Sequence, residues 1–161
     1  MAFIVEDGTG KTNATSYLSV ADFESYWTDR GTTFTETDAV IQGWLVSATE
    51  YIDTMYKFWG VVTYENVQAL QWPREGVRDN KNYLIESDTI PQELKDATAR
   101  LAIEAQDGSK NLESKLENGL QSKRIGPVSK TYKGSYKADY KVVTNLLRSL
   151  IRNNAGLRTV S

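Results

Sequence analysis

The 161-residue chain contains neither cysteine nor histidine. Without cysteine there can be no disulfide and no thiolate nucleophile, and most kinds of structural zinc site are excluded. Without histidine the chain lacks the side chain whose unperturbed pKa lies nearest neutrality, which is also the commonest metal ligand. Any catalysis would have to rely on carboxylates, lysines, tyrosines or hydroxyls. We therefore expect that the protein is not an enzyme and uses no metal and no cofactor.

Long apolar runs are also lacking, since no stretch approaches the ~18 apolar residues that a membrane span requires, and we expect no membrane contact. Hydrophobic residues make up 40% and charged residues 25% of the chain, which is typical of globular proteins. The length suits one domain with a hydrophobic core. We divide it into a helical body (1–108), a basic extended arm or β-hairpin (109–138) and a C-terminal helix with a tail (139–161).

The net charge of −2 hides a strong asymmetry along the chain. The formal charge is −6 over residues 1–60, −4 over 61–108 and +8 over 109–161. Such a distribution indicates that the two ends meet different partners. It is equally consistent with a basic C-terminal third that folds back on the acidic body and neutralises it.

Two helices are predicted in the first third of the chain. Ser19 is placed to cap a helix over about 19–30, which Gly31 would end. Thr37 is a plausible cap for a second helix. Aromatic residues at this spacing favour a core position over a base-stacking or cofactor site. The second helix carries one apolar stripe over four turns: Ile41, Trp44, Leu45, Ala48, Tyr51, Ile52 and Met55.

The rest of the chain predicts two further long helices around an irregular middle. A short helix over 64–70 should end before Pro73, and Pro91 suits the first turn of a helix that Gly108 ends. Asp139 would cap the last helix, which Asn153 stops. The fold class is therefore mainly α, a small bundle of about four helices with an extended β-hairpin before the C-terminal helix. The apolar stripe of that helix comprises Val143, Leu146, Leu147, Leu150 and Ile151.

The last helix is separated from the body by the core-poor arm. A helix of ~14 residues is marginal alone in water, so it must dock, either on its own body or on a neighbouring subunit or partner. If it docks on a neighbour, the binding residues would be Leu146, Leu147 and Leu150, with Arg148 and Arg152.

The arm alternates cations with aromatic rings. Cationic side chains follow phosphates while aromatic rings stack on bases, so the mixture suits single-stranded nucleic acid. The alternative, which we favour from the sequence, is a solvated hairpin whose tyrosines pack on a protein partner. The residues concerned are Lys123, Arg124, Lys130, Tyr132, Lys133, Tyr136 and Lys137.

Residues 7–12, Asp-Gly-Thr-Gly-Lys-Thr, have the end of a phosphate-binding loop. The full pattern requires a glycine five residues before Gly10, where this chain has Val5. The segment is therefore predicted to be a turn and not a nucleotide site.

An ordered series of short blocks resembles the head–tail connector (adaptor, or head-completion) proteins of tailed bacteriophages. No single block is specific, but their order is. The blocks are Val5-Glu6-Asp7-Gly8-Thr9-Gly10, Ala14-Thr15-Ser16-Tyr17-Leu18-Ser19, Asp29-Arg30-Gly31, Ala48…Tyr51-Ile52-Asp53, Gln68-Ala69-Leu70-Gln71-Trp72-Pro73-Arg74-Glu75-Gly76, Ile90-Pro91…Leu94-Lys95 and Lys123-Arg124-Ile125-Gly126-Pro127-Val128.

The resemblance implies a structural protein of the virion neck, made in the cytoplasm of the bacterial host. Copies would form a homo-oligomeric ring, typically a dodecamer, beneath the portal protein and above a further neck or tail-completion protein. Genomic DNA would pass through the ring without sequence-specific binding, and the C-terminal segments would dock into the portal. Similar sequences are also labelled as DnaT-like single-stranded DNA-binding proteins, which is the alternative function.

Overall fold

The first helix, α1, spans Val20–Thr28 in a computed structural model that describes residues 2–106, 123–125, 128–130 and 140–152. It begins as predicted at Ser19, whose hydroxyl oxygen accepts a hydrogen bond of 3.1 Å from the Asp22 backbone N–H. At the other end Gly31 adopts φ +76°, which glycine tolerates, and the Gly31 N–H donates to Thr28 O. The predicted cap and stop are both confirmed.

Two long helices, α2 (Asp38–Met55) and α3 (Gln92–Gln106), form the centre of the core. Thr37 holds the cap position of α2, although its side chain makes no capping hydrogen bond. The small buried residues Ala97 and Ala102 allow α3 to pack closely against its neighbours. From the predicted stripe of α2, Trp44 and Met55 are only partly buried, whereas Ile41, Leu45, Ala48, Tyr51 and Ile52 are buried.

The C-terminal helix packs on its own chain. This helix, α4, is only six residues long (Lys141–Leu146) and continues as turns, and its predicted cap Asp139 lies outside the described residues. It docks against α3, and the residues that enter the common core are Val143, Leu147, Leu150 and Ile151.

The helix is shorter than predicted because backbone groups after α4 pair with residues 57–59. Leu150 O accepts a hydrogen bond of 2.9 Å from Trp59 N–H, and Arg152 N–H donates to Lys57 O at 2.7 Å. Ile151 and Phe58 form an antiparallel bridge between them. A long-range contact of this kind is invisible to helical periodicity.

Two short antiparallel strand pairs complete the fold. β1 (Val61–Val62) pairs with β2 (Arg74–Glu75), and β3 (Lys123–Ile125) pairs with β4 (Val128–Lys130). The second pair confirms a hairpin within the predicted arm. The described residues thus contain four helices and a small hairpin, which confirms the predicted mainly α class. None of the described helices is both long and apolar enough to cross a membrane.

The short helix predicted over 64–70 is wrong. Val67 N–H and Gln68 N–H both donate to Tyr64 O, which makes a single turn. The Gln68 side chain then closes that turn, because its Oε1 accepts from Tyr64 N–H at 3.0 Å while its Nε2 donates to Leu70 O and Pro73 O. A side chain that bonds the nearby backbone competes with helix propagation.

Candidate nucleic-acid interface

Trp59 presents a large aromatic ring to solvent from a rigid backbone. Half of the residue (50%) is exposed, which is unusual for so large an apolar side chain. Its peptide groups are nevertheless fixed, since Trp59 N–H donates to Leu150 O and Trp59 O accepts from Arg74 Nε at 2.8 Å. The fold therefore fixes the backbone that carries the ring.

The Arg74 side chain stabilises the backbone of this turn. Its buried guanidinium also donates to Gly60 O at 2.9 Å and to Gln71 O at 3.1 Å, and burial lowers the pKa of Arg74. Gly60 adopts φ +69°, and a Cβ built on it would lie 2.1 Å from Glu75 O. Only glycine fits at position 60. Gly60 and the hydrogen bonds of the Arg74 guanidinium together position the backbone that carries the indole.

Opposite Trp59 stands a hairpin loop over residues 77–85. Its stem is held by hydrogen bonds of 2.9 Å from Ile85 N–H to Val77 O and from Asp79 N–H to Tyr83 O. The carboxylate oxygen Oδ1 of Asp79 accepts from the backbone N–H groups of Lys81 (2.9 Å) and Tyr83 (2.8 Å), as in an Asx turn. The loop is thereby ordered up to its tip.

An open cleft of about 620 Å³ lies between these parts. We call it the Trp59 cleft. It is lined by residues from three separate segments: Trp59, Arg78, Asn80, Asn82, Arg148 and Ser149. The tertiary structure thus brings together cations, side-chain amides and one aromatic ring that are far apart in sequence.

The cleft is positively charged although the whole chain is not. Arg78 and Arg148 line it, and the guanidinium carbon of Arg152 lies 5.5 Å from the centroid of the Trp59 ring. A salt bridge joins Lys11 to Asp7. Among the described residues, none of the three arginines of the cleft forms an ion pair. Asp79 also lines the cleft and contributes one negative charge, and its Oδ1 accepts hydrogen bonds from the loop backbone. Arg78 Nη1 donates to Asn82 O at 2.8 Å, and its other N–H groups and the guanidinium groups of Arg148 and Arg152 are available to an anion.

This arrangement suits a single-stranded nucleic acid. Arginines attract phosphates, an exposed ring provides a stacking surface for a base, and side-chain amides can donate to or accept from a base edge. No group of three or more acidic side chains that could hold a metal ion occurs among the described residues.

The sequence had singled out two members of this cleft region, Arg148 and Arg152, as portal- or neighbour-binding residues. It missed Trp59, Arg78 and the two asparagines. An aromatic residue directly before a glycine, at the end of an apolar stripe, was the one available signal for Trp59. Nothing local indicated that the 77–85 loop would face it.

Three other residues expected to bind a partner belong to a described strand pair. Lys123, Arg124 and Lys130 are on the β3–β4 hairpin, whose register pairs Lys123 with Lys130. Four more arm residues lie outside the described residues: Tyr132, Lys133, Tyr136 and Lys137.

The leucines of the last helix occupy the core of their own chain. Leu147 and Leu150 have no exposed surface, and Leu146 is partly buried against the same core. A partner could reach them only if this segment left its core, because packing here already removes them from solvent. In this structure they stabilise the fold, and their role in binding a neighbour stays a prediction.

The loop with phosphate-loop character binds an anion from its own chain. The carboxylate of Glu6, only 1% exposed, accepts from Gly8 N–H and Gly10 N–H (both 2.9 Å at Oε1) and from Lys11 N–H (2.8 Å at Oε2). These are the amides that a phosphate would need. The site is filled internally, as expected for a turn.

The family model described as "Putative DnaT-like ssDNA binding protein" matches residues 1–160 of the chain. No curated protein and no solved structure matches it significantly.

Proposed function

The chain belongs to this DnaT-like family, and we propose that it binds single-stranded DNA without sequence preference, with the Trp59 cleft receiving the strand. The observation that carries the proposal is a half-exposed indole on an anchored backbone, beside three arginines that have no acidic partner among the described residues. The protein acts by binding and performs no catalysis.

The affinity of such a site comes from two separable terms. Neutralising phosphates releases counterions, so the binding constant falls as salt rises, by a slope of about 0.7 per contact for single strands. Stacking a base on an aromatic ring depends little on salt and tolerates any base. The cleft supplies the first term through Arg78 and Arg148 and the second through Trp59.

The arm adds to the electrostatic term. Lys123, Arg124 and Lys130 place three cationic residues on one short hairpin, within a C-terminal third whose formal charge is +8. These charges would strengthen the salt-dependent part of binding.

Fluorescence anisotropy with a labelled oligothymidylate tests the proposal. We expect binding at 50 mM NaCl that weakens steeply by 200 mM. Arg148→Ala should weaken it about 3- to 10-fold, as loss of one typical hydrogen-bonded contact does. Arg30→Ala is a matched control, since Arg30 is exposed but lines a different cleft. Failure to bind at 50 mM NaCl would overturn the proposal.

A second candidate function is a structural adaptor of a phage neck. The ordered sequence blocks and the acidic body with its basic third favour it, because complementary charge can fix the register between the subunits of a ring. Its partners would be the portal protein, a further neck protein and copies of itself, and its location the head–tail junction of the virion. Since Leu147 and Leu150 are buried in this chain, portal contact would depend on the arm or the tail.

Mixing the purified chain with portal rings tests this second function. Electron microscopy should show an added ring on the portal, and alanine substitution of Lys123, Arg124 and Lys130 together should prevent it. Portal and capsid genes directly upstream of the coding gene would support the same function. No complex with portal, together with salt-dependent DNA binding, would exclude it in favour of the first.

A further inference from the structure

We propose that the Trp59 cleft is a one-nucleotide subsite in which a base stacks on the indole in place of Arg152, while its phosphate lies between Arg78 and Arg148. The inference rests on the proposed DNA binding. It adds that the cleft binds a single nucleotide and that the base replaces the contact between Arg152 and Trp59.

Arg152 occupies the position on Trp59 that a base requires. Its guanidinium lies 5.5 Å from the ring centroid, a cation–π contact worth little at an exposed site. The backbone of Arg152 is anchored separately, through its N–H to Lys57 O at 2.7 Å. The side chain can therefore leave the ring without undocking the C-terminal segment.

The exchange conserves favourable contacts. A base that displaces Arg152 stacks over the indole face, and the freed guanidinium becomes an additional partner for the strand's phosphates. The cleft volume of about 620 Å³ lies within the range of ~300–1,000 Å³ typical of small-ligand sites. Asn80 and Asn82 lie on the cleft wall, where their amides can meet any base edge, so no base is favoured.

The stacking surface is organised before the strand arrives. Trp59 is fixed through both of its peptide groups, and Arg74 is the positioning residue that holds one of them. The backbone at Trp59 therefore loses little conformational entropy on binding, which favours a measurable contribution from a single base.

Comparing a base-bearing strand with one that lacks bases tests the subsite. The probes are an oligothymidylate and an oligonucleotide of equal length with abasic residues, titrated against the full chain and Trp59→Ala. The full chain should bind the base-bearing strand about 5- to 150-fold more tightly, the range for one stacked base. Trp59→Ala should bind both strands equally, and Trp59→Phe should restore part of the preference.

The outcomes separate the subsite from the function on which it rests. If the full chain binds both strands equally, or if Trp59→Ala keeps the preference, DNA binding stands but the subsite is refuted. If neither strand binds, both proposals fail. Circular dichroism of Trp59→Ala checks its fold, which we expect to be unchanged because the ring is half exposed.

The Arg152→Ala variant tests the exchange itself. Removing the competing side chain should leave the preference for the base-bearing strand intact or raise it. Loss of one phosphate partner should at the same time lower the salt slope by about 0.7. A fall in base preference with no change in the salt slope would show that Arg152 orients the ring and does not exchange with a base.

Discussion

The Tyr17 hydroxyl donates a hydrogen bond of 2.5 Å to Asp53 Oδ1, which joins the segment before α1 to the last turn of α2. The loop just before Arg74 also bonds to Tyr17 and Asp53. Gln71 N–H donates to Asp53 Oδ2 at 3.0 Å, and Trp72 N–H donates to Tyr17 Oη at 3.3 Å. Burial is the largest influence on Asp53 and raises its pKa from 3.8 to about 6, against hydrogen bonds that lower it.

This buried carboxylate should make stability depend on pH. Because its pKa is higher in the folded chain, the folded state holds the proton more tightly than the unfolded state. The contribution of Asp53 to the free energy of unfolding is full below about pH 4 and is lost as pH rises through about 6. The difference corresponds to roughly 3 kcal/mol.

Urea denaturation of Asp53→Asn between pH 4 and 7 measures that term. Between pH 4 and 7 the free energy of unfolding should fall less for the variant than for the native chain. Glu50→Gln, on the exposed part of the same helix, is the control and should follow the native profile. Parallel profiles for Asp53→Asn and the native chain would contradict the assignment.

Replacing Glu6 should destabilise the N-terminal turn. Glu6→Ala leaves the N–H groups of Gly8, Gly10 and Lys11 without their acceptor, at a cost of roughly 3 kcal/mol in the free energy of unfolding. Glu6→Gln keeps one acceptor oxygen but sets an amide donor against another donor, so its loss should be smaller. Glu24→Gln, at an exposed position of α1, provides the comparison in chemical denaturation. An equally small effect of all three variants would show that these backbone N–H groups do not need the Glu6 carboxylate.

Two glycines with the same backbone conformation should respond differently to alanine. Gly60 and Gly76 have φ of +69° and +77°, but only at Gly60 would a Cβ meet backbone, 2.1 Å from Glu75 O. Gly76→Ala should cost only the ~1–2 kcal/mol of left-handed backbone, and Gly60→Ala several kcal/mol in total. Thermal unfolding of both variants measures the difference. Equal losses would mean that the backbone flanking the β1–β2 pair relaxes freely around Gly60.

Truncating a buried leucine tests whether the last helix belongs to the core. Leu147 is fully buried, so Leu147→Ala should lower the free energy of unfolding of the isolated chain by about 2–5 kcal/mol. Val142→Ala, on the same helix at a residue that is 54% exposed, should change it by less than about 0.5 kcal/mol. Urea denaturation provides both values. If Leu147→Ala is as stable as Val142→Ala, the segment is free in solution and available to a neighbour.

Periodicity and capping signals predicted the helical part of the fold well. The Ser19–Asp22 cap, the stripe from Ile41 to Ile52 and the proline before α3 each depend on residues within a few positions of one another. Local patterns of this kind identify helices because their hydrogen bonds are local. The two errors are the helix over 64–70 and the overlong last helix. In both places, side chains or residues distant in sequence form hydrogen bonds with the backbone groups.

The candidate cleft could be predicted only in part. Arg148 and Arg152 were chosen for their charge on the last helix, without any indication that Arg152 would cover Trp59. Arg78 and Asn82 lie in a loop whose composition predicts irregular structure and nothing more. Convergence of three segments is a property of packing, which no short window of sequence contains.

The amino-acid sequence by itself determined that the protein is mainly helical, that its charge is divided between an acidic body and a basic C-terminal third, and that cysteine and histidine chemistry is excluded. Only the tertiary structure decided that the last helix packs on its own chain and that Trp59 stands exposed among arginines. The reason is physical. Composition and periodicity act residue by residue or turn by turn, whereas the partners of Leu150 and Arg152 lie about ninety residues away in the chain and meet them only when the core closes.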